Sequence, residues 1–266
     1  MDVLGQGTMV TPQRIRRRDM HRLVRQSLVG ERMPFLKIER RPPLRFVELD
    51  DGKRNVLTLD AIEELKNAIA GDADAPVVVL SGHAGAFCSG LDNAALTADQ
   101  RQREEILAAM GELLLAAIAG PTRIVAACAG HAVAAGAMLL LVADLRIGAR
   151  GTYKIGFTEP RLGMPLPELP VLLARERLDR RRIHELTVLG RLADPESAAA
   201  AGFLDELVGS EELQSIAIEQ ANGIAGLSEA AYRGTIASVW GATIERMSEL
   251  VEAQARRRDA TPSAMD

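Results

Sequence analysis

The sequence predicts an α/β fold, a mostly parallel sheet wrapped by helices, followed by a helical C-terminal region. Three observations carry this. Residues 77–81 (VVVLS) and 124–128 (IVAAC) are short apolar runs, the mark of strands buried on both faces. Such runs alternate with segments of helical period, which implies parallel strands joined by right-handed crossovers. Beyond Pro167 the helical period dominates.

In chain order, residues 1–33 are set apart as an extension. They carry Arg14, Arg16, Arg17, Arg18, Arg22 and Arg25, few acids and no apolar stretch, which excludes a secretory signal. An organelle transit peptide fits the arginines but not the single serine, Ser27. A disordered extension, or a start placed upstream of Met9, Met20 or Met33, is the simpler reading. Residues 34–209 are expected to form the core, and residues 210–266 a helical region.

Within the core, 44–49 reads as a strand followed by the turn Asp50-Asp51-Gly52, and 55–58 as a short extended piece. Ile62, Leu65 and Ile69 give 60–70 a helical stripe that ends at Gly71. The strand at 77–81 precedes a glycine-rich loop containing Gly82, Gly85 and Gly90. Residues 99–118 form a long helix stopped by Gly120-Pro121. A strand at 124–128, a helix at 136–142 and a strand at 145–149 follow. Helices are then expected at 168–177, 179–189, 194–201, 211–224 and 228–258.

Composition narrows the function. The chain has 266 residues, enough for a substantial core, and its 47% apolar and 26% charged residues are ordinary for a globular protein. Aromatics at 3% and a net charge of -4 argue against nucleic acid as a partner. No apolar run reaches the ~20 residues that span a bilayer, so a cytoplasmic protein without membrane contact is expected. Cys88 and Cys128 have neither metal nor disulfide spacing, and no metal site is expected.

Two strand-to-helix loops concentrate small residues, 86–92 (AFCSGLD) and 130–136 (GHAVAAG). Ligands of open α/β sheets bind at such loops, and small residues let a ligand approach the backbone. Two loops of this kind can each present an N–H to one oxygen, or the glycines can simply serve tight turns.

The ordered set AFCSGLD, AGHAVAAG with Asp144 downstream, and FTEPRLGMPLP resembles the enoyl-CoA hydratase/isomerase family, the crotonase superfamily. The resemblance runs from about Met33 to the C-terminus and includes DDGKRNVLTLD and DPESAAAAGFLDELV. It implies a spiral of ββα turns with a C-terminal helical region that supports trimers or dimers of trimers. The implied substrate is a coenzyme A thioester, with no separate cofactor.

By the same resemblance, the N–H of Leu91, after Gly90 of the F-x-x-G motif, and the N–H of Ala135, in Ala134-Ala135-Gly136, form an oxyanion hole. Ala135 also opens a helix, whose dipole favours an enolate oxygen. Glu159 is the implied general acid/base, with Pro160 expected to hold it extended. Lys53, with Arg54 adjacent, is placed for the CoA phosphates or is a solvated turn residue, and Gly90, Gly136 and Met138 are placed for substrate contact. The family's hydratases carry a second glutamate where this chain has Met138. Glu168 is a candidate replacement, or an acid answering its helix dipole.

The expected activity is therefore that of an acyl-CoA enzyme, an enoyl-CoA hydratase or isomerase of fatty acid metabolism. Rival readings are a non-catalytic acyl-CoA-binding protein of the same fold, or another thioester reaction such as hydrolysis or decarboxylation. His131, His83, His184, Cys88, Ser89, Asp92 and Asp144 are read as structural.

Overall fold

The structure, a computed structural model, describes residues 35–261. Strands β1 (Leu36–Arg41), β2 (Leu44–Leu49), β3 (Val77–Gly82), β5 (Arg123–Cys128), β7 (Leu145–Ala149) and β9 (Glu206–Val208) form one sheet in that spatial order. Pairing is parallel throughout except for the β1–β2 hairpin. A second, all-parallel sheet holds β4 (Gly85–Cys88), β6 (Gly130–Val133) and β8 (Ile155–Gly156).

The chain passes from a large-sheet strand to a small-sheet strand and then to a helix. After β3 and β4 come α2 (Asn93–Thr97) and α3 (Gln100–Ala119), and after β5 and β6 comes α4 (Ala135–Val142). Helix α1 (Leu59–Ala68) precedes β3. This is the ββα spiral that the resemblance implied.

The apolar runs are buried on both faces, and their alternation shows how. Val78, Leu80, Ile124, Ala126 and Cys128 face the main core, while Val77, Val79, Val125 and Ala127 face a second cluster. That second cluster is closed by Leu213, Ala217 and Ala221 of α7 (Leu213–Ala225). The remaining helices are α5 (Glu168–Arg177), α6 (Pro195–Ala201) and the 32-residue α8 (Glu229–Ala260), which lies along α3. Asp99 and Asp194 accept N–H bonds at the starts of α3 and α6. Among the described residues no helix is long and apolar enough to cross a membrane.

Several expectations need correction. The two small-residue loops each begin as a strand, β4 through Cys88 and β6 through Val133, where glycine permits close backbone pairing: a methyl on Gly130 would lie 2.2 Å from Ala86 N. A methyl on Gly136 would lie 2.1 Å from the Cys88 carbonyl oxygen. Strand β1 escaped the sequence reading because only Leu36 of its six residues is buried, the rest being an exposed edge of four charged residues and Ile38. Short β8 and β9 also escaped. Residues 179–189 are not one α-helix: a turn leads into a π-helical turn, His184–Val188. The short piece 55–58 is extended only after its first residue, since Asn55 is left-handed (φ 55°) while Leu57 forms a parallel bridge to Leu91 and Thr58 is extended. The expected extension, 1–33, lies outside the described residues.

Candidate active site

The loop carrying Leu91 is set by a buried asparagine. Asn55 donates through Nδ2 to the carbonyls of Leu49 (2.8 Å), Ala86 (2.9 Å) and Phe87 (3.1 Å). Its own Oδ1 accepts the Asp51 N–H at 3.0 Å. Asp51 in turn accepts the N–H groups of Lys53, Asn55 and Val56. Burial pushes the Asp51 carboxyl up, but these backbone bonds outweigh it and hold the group below the usual carboxylate range. The turn 50–56 is therefore a rigid plug docked on β4.

Leu91 sits in a parallel bridge in which Gly90 C=O accepts from Leu57 N–H (2.9 Å) and Asp92 N–H donates to Leu57 C=O (2.8 Å). Those bonds bracket Leu91, so its own N–H points away from Leu57. Asp92 then caps α2 through the Ala94 N–H, as a structural reading of Asp92 requires.

The facing loop belongs to β6 and α4. Ala134 takes φ 51°, ψ −116°, a conformation that favours glycine, and turns the chain into α4. Its N–H donates to Gly156 C=O at 3.0 Å. The two loops touch: a methyl on Gly90, itself at φ 102°, would lie 3.1 Å from Ala134 Cβ and 3.8 Å from Ala135 N. Leu91 and Ala135 are thus on neighbouring turns. All eight residues of α4 are buried, which places the positive end of its dipole at Ala135 in surroundings of low polarity. Its far end is held by Arg177, which donates to Leu141 C=O (3.1 Å) and Ala143 C=O (2.9 Å).

Glu159 follows β8, three residues after the Gly156 that binds Ala134. It opens a 3-10 turn, Glu159–Leu162, rather than an extended segment. Pro160 occupies the second position of that turn, where a missing N–H costs nothing. Oε2 of Glu159 is buried without a hydrogen-bond partner among the described residues. Burial raises its pKa above the ordinary 4.5, only partly offset by backbone amides at 158 and 159.

Met138 is 8% exposed and packs in the main core from the first turns of α4. Glu168 does not stand free: it is half exposed and accepts from Arg246 Nε (2.9 Å) and Nη2 (2.7 Å). This agrees with an acid at a helix start and leaves its carboxylate engaged away from the core. The Lys53 side chain is exposed on the plug.

Of the other singled-out residues, His131 and Asp144 have ordinary partners, while His83 Nε2 is buried without one among the described residues. His131 accepts the Lys154 N–H at 3.1 Å. Asp144 accepts from Ile124 N–H (2.7 Å) and Tyr232 O–H (2.9 Å), and burial raises its pKa. Cys88 is a buried thiol whose pKa is pushed up to about 12 by burial. His184 lines an open cleft of ≈ 900 Å³ that begins at Pro160 and includes Met164, Val171, Arg175 and Val188. Neither Leu91, Ala135 nor Glu159 lines it.

Sequence reasoning missed Asn55, Arg177 and the conformation of Ala134. The Asp-x-x-x-Asn spacing in DDGKRN was a usable turn signal for the first. Arg177 carried no local signal, because its partners lie more than thirty residues upstream.

Comparison with known proteins agrees with this arrangement. The family model for enoyl-CoA hydratase/isomerase matches residues 43–265. A probable enoyl-CoA hydratase, echA8, of Mycobacterium bovis is 30% identical over 189 residues, covering 67% of this chain and 70% of that protein. An enoyl-CoA hydratase/isomerase family protein from Pseudomonas syringae superposes with a TM-score of 0.78 at 30% identity, over 86% of this chain and 98% of that one. Human mitochondrial delta3-delta2-enoyl-CoA isomerase shares the fold, with a TM-score of 0.79 at 24% identity over 84% of this chain and 90% of its own. The chain belongs to the enoyl-CoA hydratase/isomerase family, the crotonase superfamily.

Proposed function

We propose that this enzyme moves a carbon–carbon double bond in an enoyl-CoA thioester, with Glu159 as its single acid/base. The observation that carries the reading is one buried carboxylate oxygen of Glu159 without a partner among the described residues, three residues past the Gly156 carbonyl that binds the Ala134 turn. Where the family's hydratases have a second acid, the chain has apolar Met138, and the carboxylate of Glu168 is taken by Arg246.

In a 3-enoyl thioester, the Glu159 carboxylate takes a proton from C2. The electrons pass into a dienolate whose negative oxygen is held by the N–H groups of Leu91 and Ala135. The carboxylic acid then returns the proton to C4, giving the 2-enoyl thioester. No water is consumed, so one acid/base suffices. The raised pKa of Glu159 suits a group that must both take and give a proton. Lys53 is assigned to the CoA phosphates from its exposed position on the plug beside β4. Gly90, Gly136 and Met138 shape the walls around the reacting carbons.

The test is turnover on matched 3-enoyl-CoA and 2-enoyl-CoA substrates. Double-bond migration without 3-hydroxyacyl product supports the reading, while hydration as the main reaction overturns it. Self-association is part of the same proposal. Leu162, Met164, Val188 and Leu189 are large apolar side chains left in water near the open cleft, and a second copy of the chain is their fitting cover. Light scattering that finds only a monomer would contradict it.

A further inference from the structure

The C-terminal end of α4 is fastened to α8 at two points. At the first, the half-buried Arg177 bonds the Leu141 and Ala143 carbonyls through its guanidinium, which lies 4.6 Å from the centre of the Trp240 ring. At the second, Asp144, one residue beyond Ala143, accepts the Tyr232 hydroxyl while its other oxygen accepts the Ile124 N–H of β5. Tyr232 and Trp240 are eight residues apart, so both project from the same face of α8. Half-buried Ile236 packs on the core between them.

We propose that Arg177 is a positioning residue for the oxyanion hole, acting through α4, and that α8 holds it in place. This rests on the reading of Ala135 N–H as an oxyanion donor. The helix is short and rigidly buried. With eight residues at about 1.5 Å each, its far end is only ~12 Å from Ala135. A displacement at Leu141 therefore reaches Ala135 without being absorbed by a flexible segment. Two carbonyls bonded by one planar fork fix both the tilt and the rotation of the last turn.

The charge adds a second contribution. A cation at a helix C-terminus completes the dipole whose positive end faces the developing enolate. With the guanidinium beyond the last turn and the enolate before the first, ~18 Å apart, a unit charge at an effective dielectric near 20 is equivalent to roughly a fivefold rate effect. Asp144, Asp205 and Arg146 also act electrostatically on Arg177 and set the field in which it works.

The experiment compares Arg177→Gln, Arg177→Lys and Tyr232→Phe with the wild type, each held well below its melting temperature. Two quantities are read: kcat and KM on a 3-enoyl-CoA, and hydrogen–deuterium exchange along α4 and β5. Arg177→Gln is expected to lower kcat about tenfold or more with KM within about twofold, and to speed exchange across 135–142 but not in β5. Arg177→Lys keeps the charge without the fork and falls between. Tyr232→Phe keeps the ring beside Arg123 and loses only the bond to Asp144, so it reads the second fastening alone; if Arg177→Gln does not fold, Arg177→Lys decides, through lower kcat and faster exchange across 135–142. Unchanged exchange in α4, or a loss confined to KM, overturns the proposal. A wild type that turns over no enoyl-CoA rejects the isomerase reading instead, and the exchange comparison still decides the role of Arg177.

Discussion

The Ala134 N–H donates to the Gly156 carbonyl at 3.0 Å, and this one bond joins the turn that presents Ala135 to the strand that leads to Glu159. The Ala135 half of the proposed oxyanion hole and the proposed acid/base are thereby joined through the backbone pairing of β6 with β8, while the Leu91 half is set from β4 by Asn55 and the Leu57 bridge.

Glu159→Gln should lower kcat by about 100- to 10,000-fold while binding of a saturated acyl-CoA stays within a few-fold. Isothermal titration and steady-state kinetics on the same preparation check both halves. An equal loss of binding would mean that Glu159 shapes the pocket rather than moving a proton.

The same residue predicts a pH signature in stability. Burial raises the native pKa of Glu159 above the ordinary 4.5, so between those values the native state holds more protons than the unfolded chain. Stability therefore falls as pH rises through that window, and the loss persists above it. Glu159→Gln, which never ionises, should raise Tm at pH 7, and the gain should shrink as pH approaches 4.5. A gain independent of pH would contradict this origin.

Gly90 and Ala134 should be energetically coupled. Gly90→Ala forces an L-residue to φ 102° and places its methyl 3.1 Å from Ala134 Cβ, a loss of roughly 2 kcal/mol. Ala134→Gly removes both that methyl and the strain at φ 51°, so alone it should be neutral or stabilising by up to about 1 kcal/mol. In a double-mutant cycle by urea denaturation, Gly90→Ala should cost less when residue 134 is glycine. Strict additivity would show that the two turns do not press on each other.

Asn55→Ala leaves three carbonyls without their shared donor and puts alanine in a left-handed position. A destabilisation of about 3 kcal/mol is expected. Because the plug it anchors sets Leu91, residual activity should show a lower kcat and not only a lower melting temperature. Wild-type kinetics in a folded Asn55→Ala variant would remove the plug from the account of the site.

What could be read in advance follows physical lines. The run Val77–Leu80 and the strand ending at Cys128 announced themselves because burial on both faces demands uninterrupted apolar residues. Asp99 and Asp194 marked helix starts for a similarly local reason. Strands β4 and β6 stayed hidden as loops because what lets them pair is permission, the absence of a side chain at Gly130 where it meets Ala86, rather than a hydrophobic period. Glu159 was legible as an acid in its motif, but its 3-10 backbone was not, since Pro160 is equally at home in the first turn of a helix. Arg177 and Tyr232 depend on contacts across 34 to 88 positions of chain, which no local pattern encodes.

The most direct test of single-base isomerisation is to follow wild type and Glu159→Gln on a 3-enoyl-CoA in deuterated water, with product identified by mass spectrometry. The account predicts that wild type forms 2-enoyl-CoA, with deuterium appearing at C4 to the extent that the Glu159 proton exchanges with solvent. No 3-hydroxyacyl-CoA should form at early times, and Glu159→Gln should be slower by at least about 100-fold. Early 3-hydroxyacyl-CoA from the wild type, or full activity in Glu159→Gln, would contradict it.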